Sequence, residues 1–223
     1  MSKYKNLYII GSSHIAKESV NKVKEEIEKS HPEIICLELD QQRFLFLLSK
    51  KRKSGIKSLK SLGIKGFLFN FIGALIEKSL GKYTGIEPGS EMKTAIELAS
   101  KRKIKLVLID QPINITLKKL TSEITKKEKL RFVLDLLVAP FSRNKKLGFS
   151  LNKVPSKKII SKLIEEVERK YPTVYRVLVK ERNIYMAKRL NKLMRLYPDK
   201  KILAIVGASH EEGIIEELKW MKN

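Results

Sequence analysis

Apolar positions along this chain follow two periods. Short, nearly unbroken apolar runs at Leu7–Ile10, Ile34–Leu39, Ile104–Ile109 and Ile202–Val206 predict strands covered on both faces, as in a parallel sheet. Between them the period lengthens. Val20, Val23 and Ile27, separated by Lys22, Lys24, Glu25, Glu26 and Glu28, predict an amphipathic helix over Lys17–Lys29. Ala95, Ile96, Leu98 and Ala99 do the same for Glu91–Lys101, with Gly89 or Ser90 as the cap after Pro88. Further helices are predicted from Arg43, from Thr121 to a stop at Pro140, over Ser156–Arg169 with Ser156 capping, over Val174–Leu196, and at the end of the chain around Trp220. Asn114 or Thr116 would cap the helix that follows the third strand.

Strand, helix and strand within the first forty residues make a βαβ unit. The expected fold class is therefore α/β. One domain spans residues 1–223, a central mainly parallel or mixed sheet with flanking helices. Helical inserts are expected at about 41–84 and 118–198.

Composition narrows the functional classes. The chain holds 43% hydrophobic and 32% charged residues, a globular balance that argues against disorder. One cysteine excludes an internal disulfide framework and any cysteine-rich zinc site, and Cys36 inside Ile34–Leu37 reads as a small buried hydrophobe. The segment before the first strand lacks the features of a signal peptide, and the most apolar stretch, Gly66–Ile76, is too short to span a bilayer. A cytoplasmic location is expected. Net charge is +23, concentrated in two acid-free stretches, Lys50–Lys65 and Arg143–Lys158. Either a polyanionic partner or a lysine-coated surface accounts for it. Neither stretch has the interleaved-aromatic or glycine pattern of a nucleic-acid module, so specific nucleic-acid binding is not expected. Phe67–Ile76, flanked by cations, reads as a core helix, with peripheral contact to an anionic membrane as the alternative.

Two of the three histidines occupy equivalent places. Leu7–Ile10 runs into Gly11-Ser12-Ser13-His14, and Ile202–Val206 runs into Gly207-Ala208-Ser209-His210. Glycine permits close backbone approach, small residues leave the carboxyl edge uncluttered, and the histidine then stands where open α/β sheets bind ligands. His31, before Pro32, reads as structural. Acids at strand ends, Glu38 and Asp110, would share that edge, with Glu38 one strand along from His14. Glu91 follows the Gly89 turn and either complements a helix dipole or faces a cleft.

Six ordered stretches together resemble the TraB family (the TraB/PrgY group), related to the TIKI metalloproteases and more distantly to erythromycin-esterase-like and ChaN-like proteins. They are Gly11–Ser19, Leu37-Glu38-Leu39, Pro88–Met92, Leu108-Ile109-Asp110 with Ile115–Leu117, Glu181–Met186 and Val206–Ile214. The resemblance implies a site of His14, His210 and Glu38, supported by Glu91, Asp110, Glu181 and Arg182, with Gly11, Ser13, Gly207 and Ser209 shaping the two turns. Gln111-Pro112 and Asn183 depart from the family pattern and remove charges beside that site.

Two imidazoles with one or two carboxylates suit Mn²⁺, Co²⁺ or Zn²⁺. On that reading His14, His210 and Glu91 hold a divalent metal, Glu38 is the general base and Arg182 stabilises an oxyanion during hydrolysis of a peptide or peptide-like bond. A metal-free reading makes His14 the base, activated by Glu38. No nucleotide or flavin is expected. The alternative class is a non-catalytic protein that binds peptides or docks on membranes. The substrate, a peptide or small molecule, and any homo-oligomer stay open.

Overall fold

The computed structural model describes residues 1–12, 17–49, 89–138 and 157–221. His14, Ser13, the stretch Lys50–Lys65, the apolar segment Phe67–Ile76, the Ser156 cap and most of Arg143–Lys158 lie outside them.

The fold is α/β, built on one five-stranded mixed sheet. Its strands are β1 (Ser2–Tyr4), β2 (Leu7–Ser12), β3 (Ile34–Leu37), β4 (Lys105–Leu108) and β5 (Ile202–Gly207), in spatial order β1-β2-β5-β3-β4. Only β1 is antiparallel, pairing Ser2 with Ile9. The other strands run parallel. β2 pairs with β5 from Leu7↔Ile202 to Ser12↔Gly207, so the two glycine-histidine strands lie side by side in matched register. β5 also pairs with β3, from Ile34↔Ile202 to Leu37↔Ile205. Glu38 is therefore not one strand along from the first: β5 stands between β2 and β3, and Glu38 neighbours the strand that leads to His210.

Alternation along the strands assigns the layers. On one face Leu7, Ile9, Ile34, Cys36, Ile202, Ala204 and Val206 pack against Met186, Ala187, Leu190 and Met194 of α8 (Glu181–Leu196) and Ile214 and Leu218 of α9 (Glu211–Trp220). On the other, Ile10, Ile35, Leu37, Leu203 and Ile205 meet Val23 and Ile27 of α1 (Lys17–Ser30) and Met92, Ala95, Ile96 and Ala99 of α3 (Ser90–Lys101). Truncating any such core Leu or Ile to Ala costs about 2–5 kcal/mol. Cys36 is fully buried, which pushes its thiol pKa up to about 12 and leaves it an inert packing group.

The helices before β5 make a second, smaller core. Leu120 of α4 (Ile113–Glu123), Phe132 of α5 (Lys126–Val138), Tyr171, and Val174 of α7 (Pro172–Tyr175) pack with Val177. α6 (Lys157–Lys170) precedes α7, and a π-helical turn, Arg176–Lys180, links α7 to α8. The helical segment expected from Thr121 is two helices, because Thr125 and Glu128 form a capping box. The Thr125 N–H donates to Glu128 Oε2 (3.0 Å), and the Glu128 N–H donates to Thr125 Oγ1 (3.2 Å). Asn114 and Thr116 fall inside α4, whose cap position is Pro112. α2 (Gln41–Leu48) is capped by Asp40, whose Oδ1 accepts from the Arg43 N–H at 2.8 Å. Among the described residues no helix is long and apolar enough to cross a membrane.

Candidate functional site

Parallel strands deliver their last residues to one edge, and the acids that end them meet there. Glu38 follows β3, Asp110 lies just beyond β4, and His210 follows β5 at the start of α9. All three are buried. Arg182, in the first turn of α8, reaches across to join two of them. Its Nη2 donates to Glu38 Oε1 and to Asp110 Oδ2 (2.6 Å), its Nε to Asp110 Oδ1 (3.1 Å), and its Nη1 to the Leu178 carbonyl (3.1 Å). Burial works against the guanidinium charge, but the Glu38 and Asp110 carboxylates outweigh it and the Arg182 pKa is raised. Asp110 also accepts from Arg43 Nη2 and from the Gln111 N–H (2.7 Å). Asp40 completes the arrangement: its Oδ2 takes the Arg43 Nε–H (3.3 Å) and the Ile113 N–H (2.6 Å), so one carboxylate serves the N-termini of α2 and α4.

Glu38 connects this network to the histidine. Its Oε2 accepts from the Gly207 N–H, and its Oε1 lies 3.3 Å from His210 Nε2. The opposite ring nitrogen, Nδ1, is 2.6 Å from Asn183 Oδ1. An Nδ1–H donating to the Asn183 oxygen would leave Nε2 of a neutral ring facing Glu38. Two acceptors then face each other, and their contact is bonding only when a proton lies between them. Glu38 and His210 thus form a buried acid–base pair, held by Arg182 and Gly207 on one side and Asn183 on the other. Asn183 is itself fixed by close packing, since a Cβ on Gly213 would lie 2.2 Å from its Nδ2.

Gly11 owes its identity to close approach. A Cβ there would sit 2.5 Å from Glu211 Oε2, which instead accepts the Gly11 N–H at 3.1 Å, while Glu211 Oε1 accepts from Ser2 Oγ at 2.6 Å. Ser209 and Gly11 line a cavity of about 230 Å³ with Ala208, Glu18, Glu212 and Ile164 of α6. Glu91 is buried in the first turn of α3, after Gly89 at φ 83°. Glu181 lies outside the network: its carboxylate bonds to Lys119 Nζ and Arg176 Nη1, both at 2.6 Å.

The structure therefore gathers Glu38, Asp110, Arg182, Gly207 and His210, and sets Glu181 apart. Among the described residues no three His, Cys, Asp or Glu side chains come close enough to hold a metal, so Glu91 forms no such group with Glu38 and His210. Sequence reasoning missed Asp40, Arg43 and Asn183 as members. An Asp directly before a helix is a capping signal that points to Asp40, and nothing local marks Arg43. Nothing local marks Asn183 as the partner of His210.

Comparison with known proteins bears out the family resemblance. The TraB/PrgY/gumN family profile matches residues 2–221. An uncharacterized protein of Methanocaldococcus jannaschii is 39% identical, the match covering 98% of this chain and 54% of that protein. TraB domain-containing proteins of Mus musculus and Homo sapiens are 24% and 23% identical, each match covering 96% of this chain and 62% of the mammalian protein. This chain thus spans between about half and two thirds of the length of these relatives. With the profile matching nearly end to end, the chain belongs to the TraB/PrgY/gumN family.

Proposed function

We propose that this chain is a hydrolase that acts on a peptide or peptide-like bond at the carboxyl edge of the sheet. The observation that carries the reading is the buried Glu38–His210 pair, whose Oε1 and Nε2 lie 3.3 Å apart. Such a couple is suited to taking a proton from an attacking water and returning it to a leaving amine. Gly207 and Arg182 hold the carboxylate, and Asn183 holds the imidazole. The guanidinium of Arg182 already serves four acceptor atoms on three residues, which suits it to positioning Glu38 better than to receiving an oxyanion. The cavity beside Gly11 and Ser209 offers space for a bound segment.

The same donors have the chemistry of a divalent-metal site. An imidazole whose Nδ1–H is held by a carbonyl oxygen is backed as ligating histidines are, and Glu38 Oε1 lies beside its Nε2. A catalytic site takes three protein ligands, and His14, outside the described residues, is the candidate left to supply the third. A bound Mn²⁺, Co²⁺ or Zn²⁺ would contribute Lewis acidity toward the scissile carbonyl.

Calorimetric titration of chelator-treated protein with Mn²⁺ and Zn²⁺ tests that requirement directly. Saturable binding that is lost in His210→Ala and Glu38→Gln supports it. Binding unchanged in both variants removes the metal from this site. Hydrolysis that persists in chelator assigns the chemistry to the Glu38–His210 pair alone.

A further inference from the structure

The outer edge of the sheet carries a second set of unusual features. β4 is the last strand in the order and, among the described residues, pairs only with β3. The Lys105 N–H donates to the Glu33 carbonyl and the Ile109 N–H to the Leu37 carbonyl. Strand alternation then directs the N–H and C=O groups of Leu106 and Leu108 outward, a template for another strand that no described residue occupies. Beside this edge, Tyr185, Lys188, Arg189, Lys192, Leu193 and Leu196 of α8 form one stripe at spacings of three and four. With Val107 they line a groove of about 520 Å³. Its floor is apolar and its rim holds three cations. Arg189 lies over the Tyr185 ring at 5.8 Å. Among the described residues no carboxylate forms an ion pair with Lys188, Arg189 or Lys192.

We propose that this groove and the β4 edge bind an extended acidic segment of another protein, added as a sixth strand. Main-chain bonds to Leu106 and Leu108 would set its register. Every second side chain of the guest would then face the groove, acidic ones meeting the three cations and apolar ones meeting Val107, Leu193 and Leu196. Charge selects this occupant. The acid-free stretches Lys50–Lys65 and Arg143–Lys158 of the chain itself would bring cations against cations. A second copy, at net charge +23, is repelled in the same way. An open backbone edge favours a polypeptide over a nucleic acid, which offers no matching ladder of donors and acceptors.

The test uses a fluorescein-labelled peptide alternating glutamate and valine, titrated by anisotropy into the full chain. A peptide of the same length alternating lysine and valine, and a single-stranded oligonucleotide of equal charge, are the controls. The acidic peptide is expected to bind in preference to both. Lys188→Glu with Lys192→Glu is expected to weaken it by at least about tenfold, by reversing two of the three rim charges. Those variants fall on exposed positions and leave the fold intact, which circular dichroism checks. Amide hydrogen exchange at Leu106 and Leu108 is expected to slow when peptide is bound. Equal binding of the oligonucleotide, or peptide binding that leaves these two amides unprotected, overturns strand addition in favour of non-specific attraction. No binding of the acidic peptide overturns the proposal outright.

Discussion

Arg182 and Arg189 stand about two turns apart on the same helix and meet opposite fates. Arg182 sits at the carboxyl edge with both carboxylate partners buried, its side chain only 14% exposed. Arg189 lies exposed along the open edge of β4, with a tyrosine ring beneath it and no carboxylate ion pair among the described residues. Residue type does not separate them. What separates them is whether the strands bring acids to that end of the sheet. A cation with buried partners is held in place by them, whereas one without them is free to meet a partner from outside.

Breaking the paired end is expected to have the largest effect. Arg182→Met removes the cation shared by the buried Glu38 and Asp110 carboxylates and leaves Arg43 as the one described cation paired with Asp110. Urea unfolding is expected to show a loss of about 3–5 kcal/mol. A loss below about 1 kcal/mol would mean that the network is solvated rather than buried.

Glu128 gives the same lesson in the smaller helical core. Its carboxylate accepts from the Thr125 N–H and hydroxyl, and also from the Thr173 N–H at 2.7 Å, which ties the start of α5 to the start of α7. Burial raises its pKa, but the hydrogen bonds from Thr125 and Thr173 prevail and hold it below the usual carboxylate range. A depressed folded-state pKa contributes stability above the unfolded pKa, and that stability is lost as pH falls through the folded value. Glu128→Gln is expected to cost about 1.5–3 kcal/mol near neutral pH. The gap from the parent chain should close on acidification, and a gap independent of pH would contradict the assignment.

Gly213→Ala attacks the histidine's support rather than its charge. The new methyl collides with Asn183, and the expected destabilisation is about 1–3 kcal/mol. The His210 ring ¹⁵N shifts, which report its tautomer, are expected to change with it. Unaltered shifts would show that Asn183 does not orient the ring. Arg189→Ala, the counterpart of the first substitution at the unpaired end, is expected to change stability by no more than about 0.5 kcal/mol. A cost near that of Arg182 would erase the distinction between the two ends.

Much of the frame was legible in the chain. Apolar runs marked β2 to β5, and the period of three to four marked α1, α3 and α8, because burial on two faces or on one stripe leaves a direct imprint. Strand order was not legible. β5 enters between β2 and β3 from nearly two hundred residues away, a choice made by helix packing on both faces and by no local signal. β1 escaped notice because three residues, only half-buried, carry too little pattern. At the site, strand-end position pointed to Glu38, Asp110 and His210. Their partners were harder to find. Arg182 meets Glu38 across 144 positions of sequence, and Asn183 is chosen by the room that Gly213 leaves. The Thr125–Glu128 box was there to be read, as a Thr-x-x-Glu spacing that splits one apparent helix into two.

The central claim is that Glu38 and His210 act together in hydrolysis. Its most direct test is mass-spectrometric detection of cleavage in a diverse peptide mixture by the parent chain, Glu38→Gln and His210→Ala, with and without Mn²⁺, alongside a check that each variant remains folded. Cleavage by the parent, reduced by a factor on the order of 10²–10⁴ in either variant, is the predicted result. Cleavage by folded variants at the parental rate, or none by the parent under any condition, would contradict the account.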